Sequence, residues 1–253
     1  MAIELHTMRW GDGGSRRILL LHGITSSAAG WWRLGADLAD RGWDVVAPDL
    51  RGHGDSPRSD SYLFAAQVED VLALGSGWDA VLGHSMGGNL AVLAATDDQD
   101  WTAGLLLQDP ALMLPEPRSK VLDWLLEEYL VDADPERIAR MSPSWHPRDV
   151  AAKVEALRAS SAEVVTQIVV ENWPWMALEQ ASGLATPTII LGSDPEAGGI
   201  LPVTFGDWLA TSPQIEYEMI PGATHSAHRD DSRYDTYLST LVAALGRLPT
   251  LGA

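Results

Sequence analysis

Residues 83–87 read Gly-His-Ser-Met-Gly, and this spacing of glycines around a serine restricts the backbone more than any other part of the chain. The apolar run at 79–82 is typical of a buried strand, and the small residues from Asn89 onward favour a helix. A serine between them lies on a sharp turn, often at positive φ, with another chain segment passing close by. Glycines two residues to either side leave room for that approach. We therefore predict that Ser85 presents its hydroxyl at the top of a sheet.

Short apolar runs alternate with helical stretches along most of the chain. Near-continuous apolar runs occupy residues 17–22, 43–48, 80–83, 103–108 and 187–192. Such runs are typical of strands buried on both faces, as in a parallel sheet. The intervening segments 31–41, 65–75 and 88–96 have helical apolar spacing. The pattern predicts an α/β protein with a mostly parallel, doubly wound sheet. Residues 3–10 are predicted to add an edge strand.

The alternation stops between residues 111 and 183, where helical segments follow one another without a strand. Helices are predicted at 119–131, 135–140, 147–160 and 162–170. We interpret residues 1–110 and 184–253 as the core and 111–183 as an inserted helical cap. A cap over the carboxyl ends of the strands covers the place where open α/β sheets bind ligands. Candidate substrate-binding residues in the cap, each of which also suits the cap's own core, are Trp124, Trp145, Trp173, Trp175 and Met113.

Composition excludes several classes of function. The formal net charge of −18 over 253 residues argues against nucleic acid or an anionic membrane as a partner, and disfavours a strongly anionic substrate. The absence of cysteine excludes disulfides, thiol catalysis and cysteine metal sites, and the histidines lack metal-ligand spacing. The sequence contains neither a signal peptide pattern nor an apolar run of transmembrane length. We expect a cytoplasmic protein, monomeric or weakly dimeric, without a metal.

Four segments together resemble the α/β-hydrolase-fold superfamily, in particular its serine esterases and lactonases that carry a helical cap. These segments are His22-Gly23-Ile24, Asp49 to Ser56, Gly83 to Gly87, and Pro221 to His225. Their order and spacing match over nearly the whole chain. In the resemblance, Arg51 and Asp55 make polar contacts that hold loops and take part in no catalytic step. The resemblance implies a serine mechanism that needs no cofactor.

The resemblance implies a nucleophile, a base and an acid in the chain order expected of this fold. Ser85 is the expected nucleophile, and His225 is favoured as the base over His228 because it directly follows a Pro-Gly turn. Asp194 is the favoured acid, since it ends the apolar run at 188–192. One residue separates Asp194 from Gly192 where the family more often has two. Glu196 therefore remains an alternative. Asp109, which closes the run at 105–109, is another, because some members of the family draw their acid from this second position.

The backbone N–H groups of Ile24 and Met86 are the expected oxyanion hole, because a tetrahedral intermediate needs donors aimed at its developing charge. The resulting hypothesis is a serine hydrolase that cleaves a small-molecule ester or lactone with an apolar or aromatic part. Alternatives on the same fold are a C–C bond hydrolase, a hydroxynitrile lyase, an amidase or acyltransferase, and a perhydrolase. A non-catalytic ligand-binding receptor is the alternative from another class.

Overall fold

The computed structural model describes residues 1–114, 116–127 and 133–250. Within them a single sheet has seven strands: β1 (Thr7–Trp10), β2 (Arg16–Leu21), β3 (Trp43–Pro48), β4 (Ala80–His84), β5 (Leu105–Gln108), β6 (Thr188–Ser193) and β7 (Ile215–Ile220). The strand order is β1-β3-β2-β4-β5-β6-β7. Only β1 is antiparallel to its neighbour. The predicted mostly parallel sheet is confirmed.

Helices cover both faces of this sheet. In chain order they are α1 (Trp32–Ala39), α2 (Phe64–Leu72), α3 (Met86–Asp97), α4 (Arg118–Glu127), α5 (Pro135–Met141), α6 (Pro147–Ala159), α7 (Ala162–Glu171), α8 (Leu178–Ser182), α9 (Val203–Leu209) and α10 (Tyr234–Leu245). Alternate residues of β2 enter different cores. Leu19 joins the cluster that contains α2 and α3, whereas Leu20 joins the cluster that contains α1 and α10. This two-sided burial explains why the strands are continuously apolar in sequence.

The strand register brings several carboxyl ends to one edge of the sheet. His84, the last residue of β4, pairs with Gln108, the last residue of β5. Gln108 in turn pairs with Leu191 near the end of β6. Since the strands are parallel, the loops that follow them begin side by side, and side chains far apart in sequence meet above this edge.

The chain between β5 and β6 contains α4 to α8, and its described residues form no strand of the sheet. The predicted helix at 119–131 corresponds to α4 at Arg118–Glu127, and residues 128–131 lie outside the described part of the chain. Helices α5 and α6 enclose a small apolar cluster that includes Ile138, Val150 and Leu157. Helix α6 also packs on a 3₁₀ turn at Ala28–Trp31, which connects the insertion to the core.

The first strand is shorter than the sequence pattern predicts. Strand β1 begins at Thr7. N–H groups of the preceding residues donate to side chains, while the His6 carbonyl accepts the N–H of Asp49. The Ile3 N–H donates to Asp70 Oδ1 at 2.8 Å, and the His6 N–H donates to Ser56 Oγ at 2.9 Å. No helix in the described ranges is long and apolar enough to cross a membrane.

A buried ion pair fixes the loop after β3. Arg51 Nε donates to Asp70 Oδ2 at 2.7 Å, and Arg51 Nη2 donates to Asp70 Oδ1 at 2.8 Å. The two side chains are 3% and 1% exposed. The same guanidinium donates to the carbonyls of Ser61 and Ala66, so one side chain connects the loop to α2. Nearby, Asp49 Oδ2 accepts the N–H of Asp55 at 3.0 Å.

Removing one partner of this pair is expected to destabilise the fold severely. Asp70→Asn leaves the buried Arg51 charge without its counter-ion, and loss of one member of such a pair typically costs about 3–5 kcal/mol. Urea unfolding followed by circular dichroism measures the change. Glu116→Gln, at the exposed ion pair with Lys120, is the control and is expected to leave stability essentially unchanged. Similar stabilities for the two variants would contradict the prediction.

Candidate active site

Ser85 occupies the sharp turn between β4 and α3. Its backbone has φ 54° and ψ −118°, in a region that residues with side chains rarely adopt. The glycines beside it are sterically required. A Cβ on Gly87 would lie 2.2 Å from the Leu21 carbonyl oxygen, and one on Gly83 would lie 2.6 Å from the Gly87 carbonyl oxygen. The predicted close approach of the chain is therefore present at both glycines.

Backbone hydrogen bonds fix the turn at the centre of the sheet. The Ser85 N–H donates to the Gln108 carbonyl at 3.2 Å, and the Ser85 carbonyl accepts the N–H of Ala111 at 3.0 Å. The Asn89 side chain donates to the Ala111 carbonyl at 3.0 Å. The loop after β5 is thus joined to the serine turn. The Ser85 hydroxyl itself has no hydrogen-bond partner among the described residues.

The acid that contacts His225 is Asp109. His225 Nδ1 lies 2.6 Å from Asp109 Oδ2, and the Asp109 side chain is fully buried. Backbone N–H groups of Ile200 and Leu201 donate to the same carboxylate at 3.0 and 3.1 Å. A carboxylate that accepts these bonds leaves Nδ1 as the protonated nitrogen and Nε2 as the acceptor. Asp109 has φ 39°, a strained backbone that its anchored carboxylate holds in place.

Asp194, the acid favoured by the sequence, does not contact His225, and this expectation is corrected. Its carboxylate caps the 3₁₀ turn Pro195–Ala197 by accepting the Glu196 N–H at 2.9 Å. The other oxygen accepts the Gly222 N–H at 2.8 Å. Asp194 therefore ties the end of β6 to the loop that carries His225. Glu196 is exposed and makes no side-chain contact with His225.

The competing histidine lies outside the site. His228 is 4% exposed, its Nδ1 lies 3.2 Å from Gln108 Oε1, and its Nε2 accepts from Arg229 Nε at 3.2 Å. Its ring packs on Trp31 with centroids 4.4 Å apart. Both ring nitrogens are thus used within the core. His225, by contrast, is 20% exposed.

Two backbone N–H groups near Ser85 have no hydrogen-bond acceptor among the described residues. Met86 is the first residue of α3, and Ile24 belongs to the loop after β2. No described group accepts a hydrogen bond from either N–H. Unpaired N–H groups at a helix start favour negative charge, which the helix dipole also stabilises.

A cavity of about 440 Å³, a size typical of small-molecule sites, lies beside Ser85. Ser85, His225 and Ile24 line it. Met86 is not among the described residues that line this cavity. Of the five cap residues singled out from the sequence, Trp124, Trp145 and Trp175 line the cavity. Trp173 and Met113 are not among the described lining residues. Trp173 packs on the main core, and Met113 pairs with Met176 in an isolated β-bridge.

Sequence reasoning missed two buried cations in the cavity wall, Lys153 and Arg229. Lys153 lies in a segment correctly predicted to be helical, but its helical spacing does not indicate that it reaches the loop after β2. Arg229 directly follows His228, and no motif distinguishes it. Their location depends on how the insertion packs on the core, for which the sequence carries no local signal.

One cluster outside the cavity has atoms close enough to hold a cation. Potential ligand atoms of His6, Asp49 and Asp55 all lie within 4.8 Å of one another. However, Asp49 already accepts hydrogen bonds from the N–H groups of Ala28 and Asp55 and lies 2.9 Å from His6 Nδ1. We interpret Asp49 as a residue that holds the loops together.

Comparison with known proteins agrees with the α/β fold described above. A sequence model described as the alpha/beta hydrolase family matches residues 18–236. The lipase LipV of Mycobacterium tuberculosis is 37% identical over 152 residues, which cover 57% of this chain and 57% of LipV. The chain thus aligns with less than two thirds of that relative.

Two further similarities extend over nearly the whole chain. The N-formylmaleamate deformylase of Pseudomonas putida is 25% identical over 245 residues, covering 90% of this chain and 88% of the deformylase. The structure of an esterase from Exiguobacterium antarcticum matches with a TM-score of 0.78 at 16% identity, covering 96% and 95% of the two chains. An identity this low supports a shared fold alone.

The buried histidines predict how stability depends on pH. Burial lowers the pKa of His22 to about 4 and that of His53 to about 3. Burial also lowers the pKa of His84 and of His228 well below the usual value. In the unfolded chain these groups titrate near pH 6.5, so the unfolded state binds more protons below that pH. Stability contributed by these histidines is therefore lost as the pH falls from about 6.5 toward 4.

We expect each neutral buried histidine to add about 1.4 kcal/mol per pH unit to this slope. Asp149 opposes them, because burial raises its pKa to about 6 and its folded form binds the extra proton. Urea unfolding between about pH 7 and pH 5 measures the slope. His53→Gln removes one titrating group and is expected to make the slope shallower. An identical slope in wild type and variant would contradict the prediction.

Proposed function

The chain belongs to the alpha/beta hydrolase family, and on that premise we propose that it is a serine hydrolase of carboxylic esters or lactones. The observation that carries the proposal is the contact of 2.6 Å between His225 Nδ1 and Asp109 Oδ2 beside a cavity that Ser85 also lines. A nucleophile, a base and an orienting acid thereby share one site.

In the first step Ser85 Oγ attacks the ester carbonyl carbon and His225 Nε2 accepts its proton. Asp109 holds the Nδ1–H tautomer and stabilises the imidazolium that forms. The base then protonates the leaving alcohol, and an acyl group remains on Ser85. Nucleophile–base hydrogen bonds are often long before substrate binds, so the unbonded Ser85 hydroxyl is compatible with this step.

The N–H groups of Ile24 and Met86 stabilise the oxyanion of both tetrahedral intermediates. That no described group accepts a hydrogen bond from either N–H supports this role. Donors fixed by the backbone need no reorganisation as charge develops, and one such donor is typically worth a factor on the order of 10²–10³ in rate. Water, activated by His225, then releases the acid product and regenerates Ser85.

Cleavage of an amide is the second candidate. It is favoured by the similarity to an N-formylmaleamate deformylase over 90% of this chain. The same nucleophile, base and oxyanion donors serve both reactions, but an amine is a poorer leaving group. Comparing each ester with its matched N-aryl amide distinguishes the two.

The first test measures hydrolysis of p-nitrophenyl esters from acetate to octanoate, together with lactones and matched amides. Ser85→Ala is expected to reduce kcat/KM by a factor on the order of 10⁴–10⁶, because no group replaces the nucleophile. A circular dichroism spectrum of the variant serves as the folding control. Retained turnover in a folded Ser85→Ala protein would exclude Ser85 as the nucleophile.

The second test distinguishes which of the two aspartates, Asp109 or Asp194, orients His225. Asp109→Asn loses the charge that orients His225, and a rate loss on the order of 10³–10⁴ is expected. Asp194→Asn is the matched control. It weakens one hydrogen bond in the His225 loop, so a loss of about fivefold is expected. A larger loss in Asp194→Asn than in Asp109→Asn would reverse the assignment of the acid.

A further inference from the structure

The charged side chains described in the cavity wall are positive, whereas the net charge of the chain is negative. The sequence contains 35 acidic and 17 basic residues. Among the described residues that line the cavity, however, none is acidic, and the cations are Lys153 and Arg229. Both are 5% exposed. Charged side chains buried in a cavity wall create a strong local field because water does not screen them.

Lys153 brings its charge from the cap to the loop that carries Ile24. Its Nζ donates to the Thr25 carbonyl at 2.9 Å and to Thr25 Oγ1 at 2.6 Å. Thr25 directly follows Ile24 and itself lines the cavity. The ammonium group therefore lies beside the proposed oxyanion hole, where a bound ester must come close.

Arg229 lies on the wall of the same cavity. Its Nη2 donates to Ser26 Oγ, and its guanidinium stands over the Trp145 ring at 4.7 Å from the centroid. Ser26 and Trp145 line the cavity as well. The bonds to Ser26 and His228 fix the plane of the guanidinium, and a fixed guanidinium suits recognition of a planar carboxylate.

Apolar side chains make up much of the remaining wall. Val121, Leu125 and Ile200 are among the apolar lining residues. Asp149 interacts electrostatically with Arg229 but does not line the cavity, and burial raises its pKa to about 6. Asp149 carries one negative charge, whereas Lys153 and Arg229 together carry two positive charges. The cavity therefore combines cationic groups that suit an anion with apolar surface that suits a hydrocarbon part.

We propose that Lys153 and Arg229 form a carboxylate subsite, so that the preferred substrate is an ester whose acyl or alcohol part carries a carboxylate. The inference rests on the proposed hydrolase function. A single carboxylate is favoured over a more highly charged group, because the net charge of −18 repels anions at long range. The expected substrate, an ester or lactone with an apolar or aromatic part, is thereby narrowed to one that also carries an acidic group.

The test compares esters that differ only in charge. One pair is the mono-p-nitrophenyl ester of adipic acid and its neutral carboxamide counterpart, which places the charge on the acyl part. The other is 4-acetoxybenzoate and 4-acetoxybenzamide, which places it on the leaving group. In at least one pair, wild-type kcat/KM is expected to favour the anion by about tenfold or more, the value of a charge-assisted hydrogen bond. No preference in either pair overturns the proposal.

Lys153→Met and Arg229→Met are each expected to reduce the anion-to-amide ratio of kcat/KM about tenfold or more. A residue that only positions Thr25 or Trp145 would lower both members of a pair equally, and that outcome overturns the proposal. Lys120→Met is the matched control, because Lys120 is the other lysine of the chain and is exposed beside Glu116. It is expected to keep the wild-type ratio.

A binding measurement tests the carboxylate subsite independently of the proposed hydrolase mechanism. Titration calorimetry of the folded Ser85→Ala protein with the two adipic esters measures affinity without turnover. Tighter binding of the anionic ester supports the carboxylate subsite even if wild type hydrolyses neither compound, a result that would contradict the proposed function alone. Equal affinity for the two esters overturns the subsite. If Lys153→Met or Arg229→Met does not fold, the titration of Ser85→Ala with the two esters still tests the subsite.

Discussion

The close approach of three chain segments at Ser85 is the constraint on which the site depends. The turn from β4 to α3 has room only because Gly83 and Gly87 lack a Cβ, and it holds Ser85 at positive φ. Met86, whose N–H has no acceptor among the described groups, directly follows the serine as the first residue of α3. The proposed nucleophile and the proposed oxyanion donor of Met86 therefore depend on a single backbone conformation.

Parallel strand order supplies the remaining groups. Asp109 follows β5 and His225 follows β7, and the sheet brings both to the edge at which β4 delivers Ser85. The insertion adds the outer wall of the cavity and, through Lys153, a positive charge. The described residues that line the cavity include no acidic side chain. The local field in the cavity thus differs in sign from the net charge of the chain.

Much of the fold was predictable because burial leaves a direct trace in sequence. Strands covered on both faces are continuously apolar, and the two core clusters divide Leu19 from Leu20 as that pattern requires. The N-terminal strand was predicted too long, since Ile3 and His6 pair with side chains of distant loops. The hydrophobic pattern of a sequence does not reveal hydrogen bonds to side chains of distant loops. For the same reason it did not separate Trp175, which lines the cavity, from Trp173, which is not among the described lining residues.

The sequence by itself determined the turn at Ser85 and the candidate His225, because a run of a few residues sets each local backbone shape. Only the tertiary structure decided between Asp109 and Asp194. Both follow buried strands, and the choice depends on which carboxylate lies within hydrogen-bonding distance of His225 Nδ1. Asp194 is occupied by backbone N–H groups of two turns, whereas Asp109 lies 2.6 Å from the imidazole. The cationic wall likewise depends on contacts across more than a hundred residues, as between Lys153 and Thr25. No local pattern encodes contacts of that range.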